Sequence, residues 1–367
     1  MKILEVCVDL DGGGIDRYLL NYCSRIKEIH FDFAVVDSKK GILEPEIEKL
    51  GSNIFRVPRQ SKSVIANYKA MKKIISENNY DAVHIHLGYR SAVALFCAKM
   101  CGVKTRIVHA HIAAEPEGFK KKAVRYVNTV LVKTLATHLA ACGVDAAKWV
   151  WGRNAFEKGK VIVHNNAIQT EKYAFSVENR DAVRRELGIA DGTFVVGHVG
   201  RLCDQKNQMR LIDIFSKICY ANSDSLLVLV GRGERKADIE QKVSELGIKD
   251  KVLLLGVRDD VQKLLSAFDV FVFPSTHEGL PFTLIETQCN GLYAVSADTV
   301  TPFAKIGECV RFLSLNDSDE KWAQTAVEIS KAGHKADGYE AVAAAGYDLE
   351  IEAEKLRKYY FNCVKAN

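Results

Sequence analysis

Short apolar runs alternate with amphipathic stretches along almost the whole chain. In the first half, β-branched and aliphatic runs predict strands at 2–8, 31–36, 54–57, 82–86, 106–110 and 161–164. Between them apolar positions recur at helical spacing, as at 64–77 and 91–100. After Phe175 a polar, charged stretch at 176–186 precedes a second series, with strands predicted at 194–199, 226–230, 252–255, 270–273, 294–296 and 311–313. Strands that alternate with helical patterns in this way form βα units and a parallel sheet. The fold class is therefore α/β, with two consecutive doubly wound domains, 1–175 and 176–348, and a last helix from 349.

Length supports that division, because 367 residues exceed the size at which one hydrophobic core keeps growing. An apolar fraction of 48% and a charged fraction of 26% are those of an ordinary globular protein. The net charge of +5 is unevenly spread: residues 1–175 hold 27 Lys and Arg against 17 Asp and Glu, a net +10, which leaves −5 for the rest. A basic first half suits an anionic membrane surface, phosphates or nucleic acid, or else no partner at all. The ten cysteines are scattered without paired spacing, which predicts reduced, mostly buried thiols in a cytoplasmic protein and no zinc site. No uncharged apolar run is long enough to span a membrane. The basic segment 119–133 has two readings: a helix lying on an anionic bilayer, or an amphipathic helix with its Lys residues in water and its Val and Leu in the core.

The chemistry gathers at strand ends. Gly12, Gly13 and Gly14 follow the first strand and precede a helix, so the backbone there can approach a ligand's negative groups. The dinucleotide fingerprint is not met, since its third glycine falls on Arg17. Gly200, Arg201 and Lys206 open the second domain in the same manner, and two fixed cations beside a helix N-terminus suit a diphosphate. Gly231 and Gly233 form a further tight loop, and Val257 and Arg258 end another strand where backbone groups could meet a base edge. His109 and His111 close a first-domain strand, and alternation is expected to send one toward a cleft and the other into the sheet. The stretch from Ser275 to Glu286 holds two carboxylates, Glu278 and Glu286, on either side of Gly279, Leu280 and Pro281, with a helix starting near Pro281. That places both at the carboxyl end of a parallel sheet, where open α/β sheets bind ligands.

Taken together, Gly13 to Asp16 with Arg17, His109 and His111, Asn165 to Ile168, Gly200, Arg201, Lys206 and the Glu278–Glu286 pair resemble the retaining GT-B glycosyltransferases of family 4, of the bacterial capsule and exopolysaccharide type. The resemblance implies a GT-B fold of two Rossmann-like domains facing a central cleft, with the last helix, 349–367, packing back on the first. It implies that Arg201 and Lys206 hold the diphosphate of a nucleotide-sugar, expected to be UDP-linked, and that Glu286 holds its ribose. Glu278, Gly279, Leu280, Pro281 and Phe282 would touch the sugar and phosphates, Val257 and Arg258 the base, and His111 the sugar from the first domain. Gly13, Gly14 and Gly200 complete the donor-binding set. It further implies a lipid-linked or saccharide acceptor, no metal or other cofactor, no nucleic acid, and a cytoplasmic site of action on or near the inner membrane face. Asp16 stands where the family carries Glu, and residues 287–291 replace a run of small residues, so the sugar and the acceptor stay open. A GT-B UDP-sugar epimerase and a non-catalytic nucleotide-sugar-binding protein are the rival readings.

Overall fold

A computed structural model describes residues 1–36, 39–111, 119–278 and 280–366. It resolves into two units, Met1–Ala167 with Leu349–Asn367, and Ile168–Asp348.

The first unit carries β1 (Lys2–Cys7), β2 (His30–Val35), β3 (Ile54–Arg56), β4 (Ala82–Ile85), β5 (Thr105–Ala110), β6 (His138–Ala141) and β7 (Val161–Val163). They pair in the order β3-β2-β1-β4-β5-β6-β7, every pairing parallel. The strand β6 is missing from the sequence expectation because His-Leu-Ala-Ala lacks the β-branched signature that marks its neighbours. Helix Leu349–Lys365 packs in this unit, where Thr105 Oγ1 donates to the Cys363 carbonyl (3.2 Å) and the Tyr360 hydroxyl reaches Glu5 (3.0 Å).

The second unit carries β8 (Phe194–Val199), β9 (Ser225–Val230), β10 (Val252–Gly256), β11 (Val270–Phe273), β12 (Ala294–Ala297) and β13 (Val310–Leu313). Their order is β10-β9-β8-β11-β12-β13, again wholly parallel. This is the doubly wound arrangement, in which successive strands step outward from β8 and then resume on its other side at β11. All four residues of β11 are buried, as expected for a strand covered on both faces. One cover contains Leu211, Phe215 and Trp322; the other contains Leu264, Phe268 and Leu284. Gly197 in β8 is needed for the second, because a Cβ there would lie 2.0 Å from the Phe268 ring.

The second unit starts before the expected boundary at 175. Segment 168–175 is tied into it: Thr170 Oγ1 donates to Asp348 (2.7 Å), Asn290 donates to the Tyr173 carbonyl (2.9 Å), and Ile168 bridges Asp348. The polar stretch at 176–186 is helix Val177–Glu186 rather than a linker, anchored by Arg180 and Arg184 on Asp269 (2.6 and 2.7 Å).

Candidate functional site

In the second unit the winding reverses between β8 and β11, and the loops leaving these two strands form one site. The β8 loop runs from Gly200 to Asn207 and enters helix Gln208–Ala221; the β11 loop runs from Pro274 to Pro281 and enters helix Phe282–Cys289. The loops are latched together. Thr276 N donates to the Gln205 carbonyl (2.8 Å), the Gln205 side chain to the His277 carbonyl (2.9 Å), and Asn207 to the Pro274 carbonyl (3.1 Å). Asn207 makes its contact from a left-handed backbone, φ 55°, which asparagine tolerates better than most residues.

Lys206 and Glu278 meet across this seam, one from each loop, with Nζ 2.7 Å from Oε1 and both side chains largely buried. The contact is ionic, and its angles depart from those of a hydrogen bond, so Glu278 Oε1 keeps accepting capacity. The Lys206 ammonium also lies over the Phe273 ring, 4.7 Å from its centroid, so a low-dielectric wall backs the charge. Two glycines make room: a Cβ on Gly200 would press on Lys206 Cε at 3.3 Å, and one on Gly231 would strike the Gly200 carbonyl at 2.0 Å.

Behind the loop sits a brace that sequence reasoning missed. Buried Gln208 donates to the Arg201 carbonyl (2.8 Å) and to His198 Nε2 (3.2 Å), and its oxygen accepts from Cys203 N (3.3 Å). His198 Nδ1 lies 2.9 Å from the Val272 carbonyl, which only an N–H can satisfy, so its Nε2 is the acceptor for Gln208. Burial holds His198 neutral by pushing its pKa down to about 4, against the pull of the Val272 carbonyl.

The remaining expected residues are placed as follows. Glu286 is buried on helix Phe282–Cys289 and accepts from the Tyr173 hydroxyl (2.8 Å), a partner in the segment before the second domain's expected start. Pro281 caps that helix and Phe282 and Pro281 are buried, while Leu280 is half-buried. Arg201 shares the loop with Lys206 but is exposed, its guanidinium 3.0 Å from Glu234. At the end of β10, Val257 is exposed and Arg258 forks onto Asp260 (2.8 and 2.7 Å) and reaches Glu186 (2.7 Å). Gly279 lies outside the described residues.

Gly13, Gly14 and His111 belong to the first unit. Gly13 caps helix Gly14–Arg25, and Asp16 Oδ2 accepts from both Gly12 N (3.0 Å) and Gly13 N (2.9 Å), so these amides already face a carboxylate. Burial and then the neighbouring Asp9 raise Asp16 to about 7, despite those two bonds. His109 and His111 do not diverge as expected: their rings stack at 4.2 Å with 19° between planes, because residues two apart on a strand share a face.

The histidines are part of a larger cluster. Glu5 and His84 are register partners on β1 and β4, and His86, His109, His111, Tyr18 and Tyr360 pack around them. Nitrogens of His84, His86 and His109 lie within 4.8 Å of one another, close enough to be considered for a metal. Yet His86 has both nitrogens committed, Nε2 to Glu5 and Nδ1 to His111, each at 2.7 Å. That leaves only His84 Nε2 and the His109 ring, short of the three or four ligands a zinc ion takes, and the cluster fits a hydrogen-bond network better.

Comparison with known proteins gives concordant findings. The family pattern described as "Glycosyl transferases group 1" matches residues 179–322, and that described as "Glycosyl transferase 4-like" matches residues 8–135. The chain is 29% identical over 368 aligned positions to the glycosyltransferase EpsF of Bacillus subtilis, covering 98% of this chain and 96% of that protein. It is 30% identical over 294 positions to the UDP-Gal:alpha-D-GlcNAc-diphosphoundecaprenol alpha-1,3-galactosyltransferase of Escherichia coli, covering 76% of this chain and 74% of that one. Among solved structures, Anabaena Alr3699/HepE in complex with UDP superposes with a TM-score of 0.80 at 20% identity, over 99% of this chain and all of that one.

Proposed function

The chain belongs to the family 4, group 1 glycosyltransferases, and from that premise we propose that it transfers a sugar from a UDP-sugar to a lipid-linked or growing saccharide acceptor in bacterial surface polysaccharide synthesis. One observation carries the reading: the Lys206–Glu278 pair held at the switch point by two latched loops. The nucleoside diphosphate takes the place of Glu278 as the counter-ion of Lys206. The relative whose name specifies UDP-Gal and the neighbour solved with UDP favour uracil as the base.

In this reading Glu286 binds the ribose hydroxyls, and Leu280 and Phe282 meet the donor at the N-terminus of helix Phe282–Cys289. Arg201 swings from its exposed partner Glu234 onto the diphosphate, a movement that a solvent-screened surface ion pair opposes only weakly. Transfer proceeds with retention. The anomeric C–O bond to the β-phosphate breaks, the acceptor oxygen bonds to the same face, and the acceptor's proton passes to the departing phosphate. Charge builds on that phosphate, and Lys206 and Arg201 stabilise it without a metal; a fixed electrostatic donor of this kind contributes roughly 3–4 kcal/mol.

The first unit supplies the acceptor side. On helix Phe119–Leu135, Val124, Tyr126, Val127, Val130 and Leu131 are exposed, so of the two readings of this basic segment the one with these side chains in the core does not apply to them. They face an anionic bilayer that the net +10 of residues 1–175 also attracts. Among the described residues no helix is long and apolar enough to cross a membrane.

The test is UDP release from UDP-glucose and UDP-galactose with a polyprenyl-diphosphate saccharide acceptor, in buffer containing EDTA. Activity with an α-linked product from an α-linked donor is expected, and Lys206→Ala should lower kcat roughly 100- to 1000-fold with an unchanged circular dichroism spectrum. Wild-type turnover in that variant would sink the assignment, a recovered C2 epimer of the donor would favour the epimerase, and abolition by EDTA would remove the metal-free step.

A further inference from the structure

The first-unit cluster contains a directional chain of hydrogen bonds that starts at a carboxylate and ends at His111. Glu5 Oε2 lies 2.7 Å from His86 Nε2, and His86 Nδ1 lies 2.7 Å from His111 Nε2. Glu5 and His86 are buried, Glu5 on β1 and His86 directly after β4, the strand that pairs with it. Glu5 also receives the Tyr360 hydroxyl (3.0 Å), and His84 Nδ1 sits 2.6 Å from the same hydroxyl.

Proton positions follow from what each group can do. An ionised carboxylate only accepts. Burial alone would push Glu5 up, but His84 and His86 bring it down to about 2, so it is ionised across the working range. Its partner on His86 must then be N–H, which puts that ring's proton on Nε2. Burial pushes His86 down to about 4, so the ring is neutral, carries one proton and accepts at Nδ1. His111 must in turn donate from Nε2. Burial also lowers His111, and a neutral ring that donates from Nε2 has its lone pair on Nδ1. The other branch is consistent: Tyr360 donates its single proton to Glu5, and His84 donates from Nδ1 to the Tyr360 oxygen.

We propose that Glu5 is a positioning residue that, through His86, fixes His111 as the Nε2-protonated tautomer, so that His111 meets a sugar hydroxyl as a hydrogen-bond acceptor at Nδ1. The hydroxyl donates to the ring and keeps its own lone pairs for other donors. The assignment rests on the reading of His111 as a donor-sugar contact only for its consequence in catalysis; the tautomer itself is a property of the free protein.

The experiment is nitrogen-detected NMR on protein labelled with ¹⁵N-histidine, with His111→Gln to assign the signals, in wild type and in Glu5→Gln. In the wild type, His111 is expected to show a protonated Nε2 and an unprotonated Nδ1. A glutamine at position 5 can donate from its amide to His86 Nε2, which reverses the chain and moves the His111 proton to Nδ1. With that reversal kcat should fall roughly 10- to 100-fold while KM for the UDP-sugar changes little. Tyr360→Phe removes the other Glu5 partner and should destabilise the protein yet leave the His111 tautomer as it was. A wild-type His111 protonated at Nδ1, or a Glu5→Gln protein with His111 signals and kcat unchanged, overturns the proposal. So does a Glu5→Gln protein that loses only melting temperature. Because the tautomer is read without substrate, it stands or falls separately from the transferase reading.

Discussion

Both units are wound in the same way, with β1 and β4 flanking the reversal in one and β8 and β11 flanking it in the other, yet the two reversals are furnished differently. Around β8 and β11 the strands are apolar except for the neutral His198, and the charge is held out on loops, where Lys206 and Glu278 neutralise each other within reach of a ligand. Around β1 and β4 the polar groups are in the strands themselves: Glu5, His84 and, just beyond, His86, packed under Tyr18 and Tyr360 with almost no exposure. One reversal is left for an occupant; the other is filled by its own side chains. On the proposed reading, the same winding yields a nucleotide site where side-chain volume and charge stay off the strand ends.

Acid should break the comparison most strongly. His86, His109, His111 and His164 in the first unit all have pKa values lowered, chiefly by burial, His86 to about 4 and His164 to about 3. In the second unit His198 is lowered to about 4, and His334 is lowered less. A histidine depressed in the fold binds its proton more readily when unfolded. Its contribution is complete above the unfolded value near 6.5 and is lost as pH falls through the folded value, by up to about 1.4 kcal/mol per pH unit for each ring. The first unit should thus lose amide protection before the second between pH 6.5 and 4, by hydrogen exchange with mass readout. Simultaneous loss would mean the histidine network is not what distinguishes the units.

Next in size is Glu286→Ala. If Glu286 grips the ribose, donor KM should rise roughly 10-fold or more, the scale of a lost hydrogen bond to a charged group. Tyr173→Phe, which removes one internal partner of that carboxylate, should cost stability and leave KM within a few-fold. Equal KM effects would make Glu286 an anchor for Tyr173 and no more.

The smallest effect concerns the loop brace. Gln208→Ala leaves the Arg201 carbonyl and Cys203 amide without their buried partner and should destabilise the second unit by about 1–3 kcal/mol. Hydrogen exchange should accelerate at residues 200–206 and stay unchanged in the first unit. No local change there would show that the latches to the Pro274–Pro281 loop hold the site unaided.

The sequence was legible where chemistry is local. Among the described residues the apolar runs marked twelve of the thirteen strands, and β6 escaped because His138 to Ala141 is too small and polar to read as one. Lys206, Glu278 and Glu286 stood out because their loops follow buried strands, and the structure brings the first two into contact. Gln208, Tyr173 and the Glu5–His86–His111 chain were not legible. Their bonds join positions far apart in the chain or depend on which way one buried ring is turned, and spacing carries neither. The expectation that His109 and His111 diverge failed on simple parity, which the stacked rings make plain.

On the proposed reading the second unit's reversal binds the nucleoside diphosphate and the first unit's does not. Calorimetric titration of UDP into wild type, Lys206→Ala and Glu5→Gln tests it directly. Wild type and Glu5→Gln are expected to bind saturably with similar affinity, and Lys206→Ala to lose roughly 100-fold or more. Retained binding in Lys206→Ala together with lost binding in a folded Glu5→Gln protein would contradict it.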